Sequence, residues 1–347
     1  MTRDVGRRLG LGLVALVLLC GLSESVARGA GAPQAYTAIY RYDDLLGYRY
    51  ITAQVVEFAV GAERYRVEFD GDGVVDRAGR RPEAIVILGD GVVAGLELPR
   101  EQRIAARVEL ASQRGAVSLA VPGYWLLQEV LGLERWLSKH ERPGTVVVVQ
   151  NFANDLIDNV PEWEGVAALP GVRNRGPSGL ELIPPRLPSA PYRWLSSVAK
   201  ASHLYGIYEA SRPRAAEPAL TSRQQWLYAT EPPPQLEHGL EALRWSGRRL
   251  HALADRYQFS VVVVDWVDWP LLWPVVDEPV ARQRLASTRV QQAIGFPSRP
   301  VAALVPDSAQ VAGWSSRWLI ESTRHANAEA VSALSRAIVD RLESGHE

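Results

Sequence analysis

The pattern of apolar and polar positions changes character near residue 83. Between residues 35 and 82, aromatic and polar residues alternate over short stretches, as in Tyr65-Arg66-Val67-Glu68-Phe69, and the turn sequence Gly71-Asp72-Gly73 follows. Alternation with a period of two, bounded by turn residues, predicts short strands joined by turns. We therefore predict a strand-rich lead-in over residues 35–82.

From residue 83 onward, continuous apolar runs alternate with helical periodicities. Apolar runs typical of strands buried on both faces occupy 84–88, 117–121, 145–149 and 259–264, with a weaker candidate at 300–305. Helical spacing of apolar residues lies over 104–113, 124–140, 236–257, 280–294 and 327–342. Strands that alternate with helices predict an α/β fold, a three-layer α/β/α doubly wound parallel sheet.

Residues 160–235 interrupt this alternation. The segment is rich in proline and aromatic residues, and its one helical candidate is short, at 192–211. So long a stretch without periodicity inside a compact domain is typical of a lid, a cap or a loop. We predict one domain over residues 83–345 that carries an insertion at about 160–235.

The N-terminus has the layout of an export signal. Three arginines precede an apolar run over residues 9–22, and Ser25-Val26-Ala27 offers small residues at alternate positions. We expect a signal peptide over residues 1–27 and a periplasmic or extracellular protein. Two alternatives stay open: an uncleaved membrane anchor at residues 9–22, and lipidation at Cys20, which the large Leu18 and Leu19 disfavour.

Composition removes several classes of function. The 38 Lys and Arg residues balance 39 Asp and Glu residues, so the chain lacks the basic excess with which dedicated nucleic-acid binders neutralise phosphates. Cleavage after Ala27 would also remove the only cysteine, which excludes disulfide chemistry and a cysteine-based metal site. The histidines show no ligand spacing, so we expect neither a metal nor a cofactor, and no nucleic-acid partner.

Polar and glycine residues follow several of the predicted strands, where an open parallel sheet binds its ligands. The first strand ends in Gly89-Asp90-Gly91 and the second in Pro122-Gly123. Asn154-Asp155 follows the third strand, and His325 opens the last helix. The order, spacing and strand context of these motifs resemble those of the SGNH (GDSL-like) hydrolase superfamily.

The lead-in supports the resemblance. Residues 42–49 and Tyr65-Arg66-Val67 are similar to the segment that precedes the hydrolase core in one group of bacterial members. The resemblance covers about residues 40–345 and leaves the insertion unmatched. It implies an SGNH-hydrolase or flavodoxin-like sheet and hydrolysis of ester bonds in acyl or acetyl groups.

The resemblance also assigns roles to single residues. Gly123 would donate a backbone N–H, and Asn154 a side-chain N–H, to an oxyanion hole. His325 would be the base, and Asp90 and Asp155 would be structural acids beside these groups. Each has a simpler reading: Asn154 and Asp155 as turn or helix caps, Gly123 as a turn glycine, and His325 as the start of a helix.

This sequence departs from the family pattern at two decisive positions. Gly91 stands where the family has its nucleophilic serine, and a glycine cannot form a covalent acyl-enzyme. Ser322 and Thr323 stand where an acid should orient His325, and Glu321 lies one residue further away. Hydrolysis by the family mechanism is therefore not expected.

Three functions remain open from the sequence. The first is an exported pseudo-hydrolase that binds an acylated glycan or a small ester. Most tryptophans pack in protein cores, and Trp125 is the best candidate here for a surface on which a sugar ring stacks. The second is an active esterase that uses another nucleophile or a water activated by Asp90 or His325. The third is a structural envelope protein. A membrane contact is expected only through an uncleaved N-terminal segment.

Overall fold

The computed structural model describes residues 2–60, 63–77, 83–151, 169–174, 179–211, 225–234, 236–267, 279–300, 317–318 and 326–344. Its helices are α1 (Thr2–Gly29), α2 (Gly91–Ala94), α3 (Ile104–Ser112), α4 (Leu126–Leu137), α5 (Ala190–Lys200), α6 (His203–Ser211), α7 (Leu236–Tyr257), α8 (Pro279–Ile294) and α9 (Ala328–Ser344). Its strands are β1 (Tyr40–Asp43), β2 (Gly47–Tyr50), β3 (Gln54–Val60), β4 (Glu63–Phe69), β5 (Asp76–Arg77), β6 (Ile85–Leu88), β7 (Ala116–Ser118), β8 (Thr145–Asn151), β9 (Gly171–Asn174), β10 (Leu180–Ile183), β11 (Ser260–Trp266) and β12 (Ser298–Pro300).

A six-stranded sheet in the order β12-β11-β8-β6-β7-β5 forms the centre of the molecule. The strands from β6 to β12 in this sheet run parallel to their neighbours, and β5 joins the edge antiparallel to β7. Numbered along the chain, the five parallel strands have the order 2-1-3-4-5, which is the flavodoxin-like arrangement. The direction of winding therefore reverses between β6 and β8.

Helices cover both faces of this sheet. Helix α3 packs against α9 on one face, whereas α4, α7 and α8 pack against one another on the other. Right-handed crossovers require this division, because the chain moves one way from β6 to β7 and the opposite way from β7 through β8 to β12. The predicted α/β class, a parallel sheet enclosed by helices, is confirmed.

Burial explains why the central strands read as unbroken apolar runs. Every residue of β6 and β8 is buried, and their Val and Ile side chains contact helices on both faces. Leu119 and Val121 continue the pairing beyond β7, since their amides donate to the carbonyls of Ile87 and Gly89 at 2.8 and 3.1 Å. The weak strand candidate at 300–305 shares only Pro300 with β12, because residues 301–305 lie outside the described part.

The lead-in contains two antiparallel hairpins, β1–β2 and β3–β4, as its alternating pattern predicts. It is fastened to α4. Arg135 donates to both carboxylate oxygens of Asp43 at 2.6 and 2.9 Å, and the buried Gln128 donates to the Leu46 carbonyl at 2.6 Å. Burial alone would raise the pKa of Asp43, but the bonds from Arg135 and from backbone amides lower it to about 2.

The described part of the insertion holds the β9–β10 hairpin and two helices, α5 and α6, where the sequence suggested one. Helix α1 contacts α6: Glu24 accepts hydrogen bonds from the Ser202 hydroxyl at 2.7 Å and from the His203 and Leu204 amides at 3.0 and 3.2 Å. Among the described helices, none has the length and apolar content needed to cross a membrane.

Candidate functional site

Two polar side chains meet at the point where the winding of the sheet reverses. Asp90 follows β6 directly, and Asn151 is the last residue of β8, so both lie at the carboxyl ends of adjacent parallel strands. The Asn151 Nδ2 donates to Asp90 Oδ2 at 2.7 Å, and both side chains are buried. Open α/β sheets bind ligands at this position, so the Asp90–Asn151 pair marks the candidate site.

Asp90 also starts a helix. Its Oδ1 accepts from the Val92 amide at 2.9 Å, which caps the single turn α2, and Gly91 is the first residue of that turn. Close packing requires a glycine at position 89, just before this turn, because a Cβ added there would lie 2.5 Å from a Val93 methyl. The Gly91 N–H makes no hydrogen bond within the described residues.

Gly123 is a second backbone donor next to the turn after β7. Its φ of +74° favours glycine, and an added Cβ would lie 2.7 Å from the hydroxyl of Tyr48. Tyr48 donates to the Pro122 carbonyl at 2.9 Å, and Tyr124 donates back to the Tyr48 carbonyl at 2.6 Å. The lead-in therefore fixes the conformation of this turn. The exposed Gly123 N–H has no acceptor in the described part of the chain.

A buried carboxyl group lies beneath the site. Glu129 of α4 is 3% exposed, and its Oε1 has no hydrogen-bond partner within the described residues. Burial raises the pKa of Glu129 well above its usual range, and the negative charge of Asp90 raises it further. The raised pKa favours the protonated form of Glu129, and both carboxylate oxygens of Asp90 accept hydrogen bonds.

Asp265 adds a third acid close to the end of its strand. It is opposite Gln150 in the β8–β11 ladder, and its Oδ2 accepts from the Ser287 hydroxyl of α8 at 2.7 Å. Burial raises its pKa to about 6, although the bond from Ser287 opposes the shift. This contact ties β11 to α8, so we assign Asp265 to the packing of that layer.

The structure places part of the predicted site. Asp90 and Gly91 directly follow β6, and Gly123 follows β7, where the Val121 amide donates to the Gly89 carbonyl at 3.1 Å. Their roles in binding remain predictions. The other predicted positions, Asn154, Asp155, Glu321, Ser322 and His325, lie outside the described residues.

Trp125 requires a correction. We expected it to be a platform for a sugar ring, but it is 3% exposed and immediately precedes α4. A buried indole offers no face for stacking from solvent, so its role is to fill space beneath the turn that carries Gly123.

The sequence reasoning missed three contributors to this site: Asn151, Tyr48 and Glu129. Asn151 was visible as a polar residue that ends an apolar strand. Glu129 had a weaker signal, a Gln-Glu pair inside the otherwise apolar first half of α4. The contact of Tyr48 with Gly123 had none, since it joins segments 75 residues apart.

No protein-family model and no curated protein sequence matches the chain. Several solved structures are similar at low identity. A psychrotrophic esterase, EstA, from Pseudoalteromonas sp. is 11% identical with a TM-score of 0.39, over 76% of this chain and 97% of that one. A member of the lipolytic protein G-D-S-L family from Veillonella parvula is 6% identical with a TM-score of 0.33, over 74% and 96%.

A third similar structure is an acetyl xylan esterase, Est2A, from Butyrivibrio proteoclasticus. It is 7% identical with a TM-score of 0.34, and the match covers 77% of this chain and 65% of that one. TM-scores below 0.5 do not establish a shared fold, so the function proposed below rests on the residues of this chain.

Proposed function

We propose that the protein is an exported, SGNH/GDSL-like pseudo-hydrolase that binds an ester-bearing ligand, an acylated glycan or a small ester, at the carboxyl edge of its sheet. One observation carries the proposal. Gly91 occupies the first position of α2, capped by Asp90, at the reversal point of the sheet, and this position has no side chain with which to attack an ester.

The available donors support binding rather than turnover. The N–H groups of Gly91 and Gly123 have no partner within the described residues, and both can donate to a carbonyl oxygen. Asn154 would add a side-chain donor by the family resemblance. Donors without a nucleophile can bind an acyl group but cannot form a covalent intermediate with it.

The alternative of an active esterase with a water activated by Asp90 is disfavoured by the contacts of Asp90. Both carboxylate oxygens accept hydrogen bonds, from the Val92 amide and from Asn151, so the geometry assigns Asp90 to capping α2 and holding Asn151. An active esterase in which His325 activates the water can be tested directly.

Kinetics on an aryl acetate separate the two functions. We expect the wild-type protein to show no turnover of p-nitrophenyl acetate above buffer, and a Gly91→Ser, Ser322→Asp variant to gain turnover that depends on His325. Gly91→Ala is the matched control, because it adds a side chain without a hydroxyl. Wild-type turnover that disappears in His325→Ala would overturn the pseudo-hydrolase proposal in favour of the active esterase.

Binding needs its own measurement, because a structural envelope protein would also lack turnover. We expect acetylated xylo-oligosaccharide to bind more tightly than its deacetylated counterpart, and Asn154→Ala to reduce this preference several-fold, the value of one hydrogen bond. Equal binding of the two oligosaccharides, or none of either, would favour the structural role.

We further propose export through the N-terminal segment. The contacts of Glu24 with α6 favour a chain in which this segment is retained over one cleaved after Ala27. The intact mass of the protein recovered from the producing cells decides between them.

A further inference from the structure

A cavity of about 200 Å³ lies between the lead-in and α4. Its walls are residues of the first hairpin and its turn, the turn Gly71–Val74, the segment Ser118–Val121, Tyr124 and the helix end from Gly132 to His140. Gly91, Gly123 and Asn151 do not line it, whereas Val121 and Tyr124, near Gly123 in the chain, do. The cavity therefore begins next to the turn of Gly123 and extends along α4, whose last turn lies about 15 Å from its first at 1.5 Å per residue.

The side chains around this cavity carry an excess of positive charge. Arg41, Arg49, Arg135 and Lys139 line it. Asp43, which does not itself line the cavity, pairs with both Arg49, at 3.0 Å, and Arg135, at 2.6 Å. The one negative charge of Asp43 is therefore shared by two guanidinium groups. Asp72 is the carboxylate that lines the cavity among the described residues, and it lies 3.2 Å from His140 Nε2.

Arg41 has the most unusual surroundings of these cations. Its guanidinium has neither an ion pair nor a hydrogen bond within the described residues, and its Nε is buried. Burial lowers the pKa of Arg41, as do the charges of Arg49 and Arg135, and the negative charge of Asp43 opposes this shift. A buried donor without an acceptor is unfavourable, so an anion at this position would supply the missing acceptor and balance the charge.

Trp136 supplies a second donor in the same wall. Its indole Nε1 is buried and has no acceptor in the described part of the chain. The ring lies against His140, with centroids 4.6 Å apart, which limits its rotation. The cavity volume equals that of six or seven waters at about 30 Å³ each, room for an anionic group on a compact carrier.

We propose that this cavity binds a small oxyanion-bearing ligand, a phosphate or a carboxylate, whose oxygens accept from Arg41 and Trp136 and whose charge is balanced by the surplus of cations. Lys139 lines the cavity but is exposed, so its positive charge attracts the anion without being packed in the interior. The proposed anion site adjoins the edge site at Val121 and Tyr124 but uses different donors, and the proposal holds whether or not an ester binds at the edge site.

Titration of the full chain with simple anions tests the proposal. The probes are inorganic phosphate and glucuronate, with glucose as the neutral counterpart of glucuronate and sodium chloride at matched ionic strength. We expect saturable binding by calorimetry with phosphate or glucuronate and none with glucose. Preference for phosphate identifies a phosphoryl ligand, and preference for glucuronate identifies a carboxylate ligand.

Variants locate the binding. We expect about a tenfold loss of affinity in Arg41→Gln, the equivalent of one charge-assisted hydrogen bond, and smaller losses in Trp136→Phe and Lys139→Met. Arg336→Gln, on the exposed side of α9, is the matched control and should leave affinity unchanged. If Arg41→Gln does not fold, Lys139→Met and Trp136→Phe decide. Absence of saturation, or equal affinity in these variants and the wild type, would overturn the proposal.

Discussion

At the scale of single residues, the candidate site depends on two glycines that serve opposite purposes. Gly123 is a glycine because its φ is positive and the Tyr48 hydroxyl fills the space of a side chain. Gly91 begins a helical turn and is not among the described glycines with a positive φ. The absence of a side chain at position 91 is therefore not demanded by the backbone of α2. This difference is why substitution at Gly91 tests chemistry, whereas substitution at Gly123 tests structure.

We predict that Gly123→Ala destabilises the protein by about 2–4 kcal/mol, from the positive φ and the contact with Tyr48 together. Chemical denaturation measures the loss. Gly179→Ala is the matched control, because Gly179 has a φ of +83° and no described atom within 4 Å of an added Cβ. In a Tyr48→Phe background, the cost of Gly123→Ala should fall toward that of Gly179→Ala. An equal cost in both backgrounds would contradict the role of the Tyr48 hydroxyl.

At the scale of elements, helices were predicted more accurately than strand ends. The helix at 236–257 matches its prediction at both ends, because its buried residues recur with the helical period. Strand β7 is assigned a shorter range than predicted, Ala116–Ser118, although the amides of Leu119 and Val121 continue its pairing with the segment that follows β6. Strand β5 was not predicted to join the central sheet, because Asp76-Arg77 has no strand signature.

In the candidate site too, some residues could be placed from the local sequence pattern and others could not. Asp90, Gly91 and Gly123 could be placed at one edge because parallel strands end at the same edge of a sheet. The contacts of Tyr48, Asn151 and Glu129 depend on which strands and helices become neighbours, and the local pattern of residues does not contain that information.

The junction of α1 and α6 yields a prediction at this scale. Burial raises the pKa of Glu24, but its hydrogen bonds with His203, Ser202 and Leu204 outweigh burial and lower it. The junction is therefore stabilised above the ordinary pKa of about 4.5 and weakens as the pH falls below it. We expect Glu24→Ala to cost about 1 kcal/mol near pH 7, the typical value of a helix cap, and Glu24→Gln to cost less.

Thermal unfolding of the full chain at pH 7 and at pH 4 measures this effect. Ser25→Ala is the matched control, since the Ser25 hydroxyl bonds only within α1, to the Gly21 carbonyl. Unfolding midpoints of Glu24→Ala and wild type that coincide at pH 7 would show that α1 does not contribute to the folded body in solution.

At the scale of the whole molecule, buried acids give stability an unusual dependence on pH. The pKa of Asp265 is about 6 when folded, against an ordinary value of 3.8, so the folded state binds the extra proton between these values. Stability from this group is complete below pH 4 and decreases as the pH rises toward 6, by up to about 3 kcal/mol. Glu129 contributes a decrease of the same sign that begins near its ordinary value of 4.5.

We predict that Asp265→Asn flattens the stability profile between pH 4 and 7. Asparagine keeps an oxygen for the Ser287 hydroxyl and has no proton to lose, so the variant should be more stable than wild type at pH 7. Denaturant unfolding at a series of pH values measures the profile. Asp340→Asn, on the exposed side of α9, should leave the slope unchanged. An unchanged slope in Asp265→Asn would show that this carboxyl is ionised in the folded state at pH 4.

The antiparallel strand β5 has a consequence for assembly. Within the described residues it adds Asp76 and Arg77 to one edge of the six-stranded sheet, and both residues are charged. A short, charged edge strand gives a second chain few unpaired backbone groups to extend and discourages intermolecular strand addition. The segment that precedes the first parallel strand thus covers the edge of β7, and we expect contacts with other copies of this protein to form elsewhere.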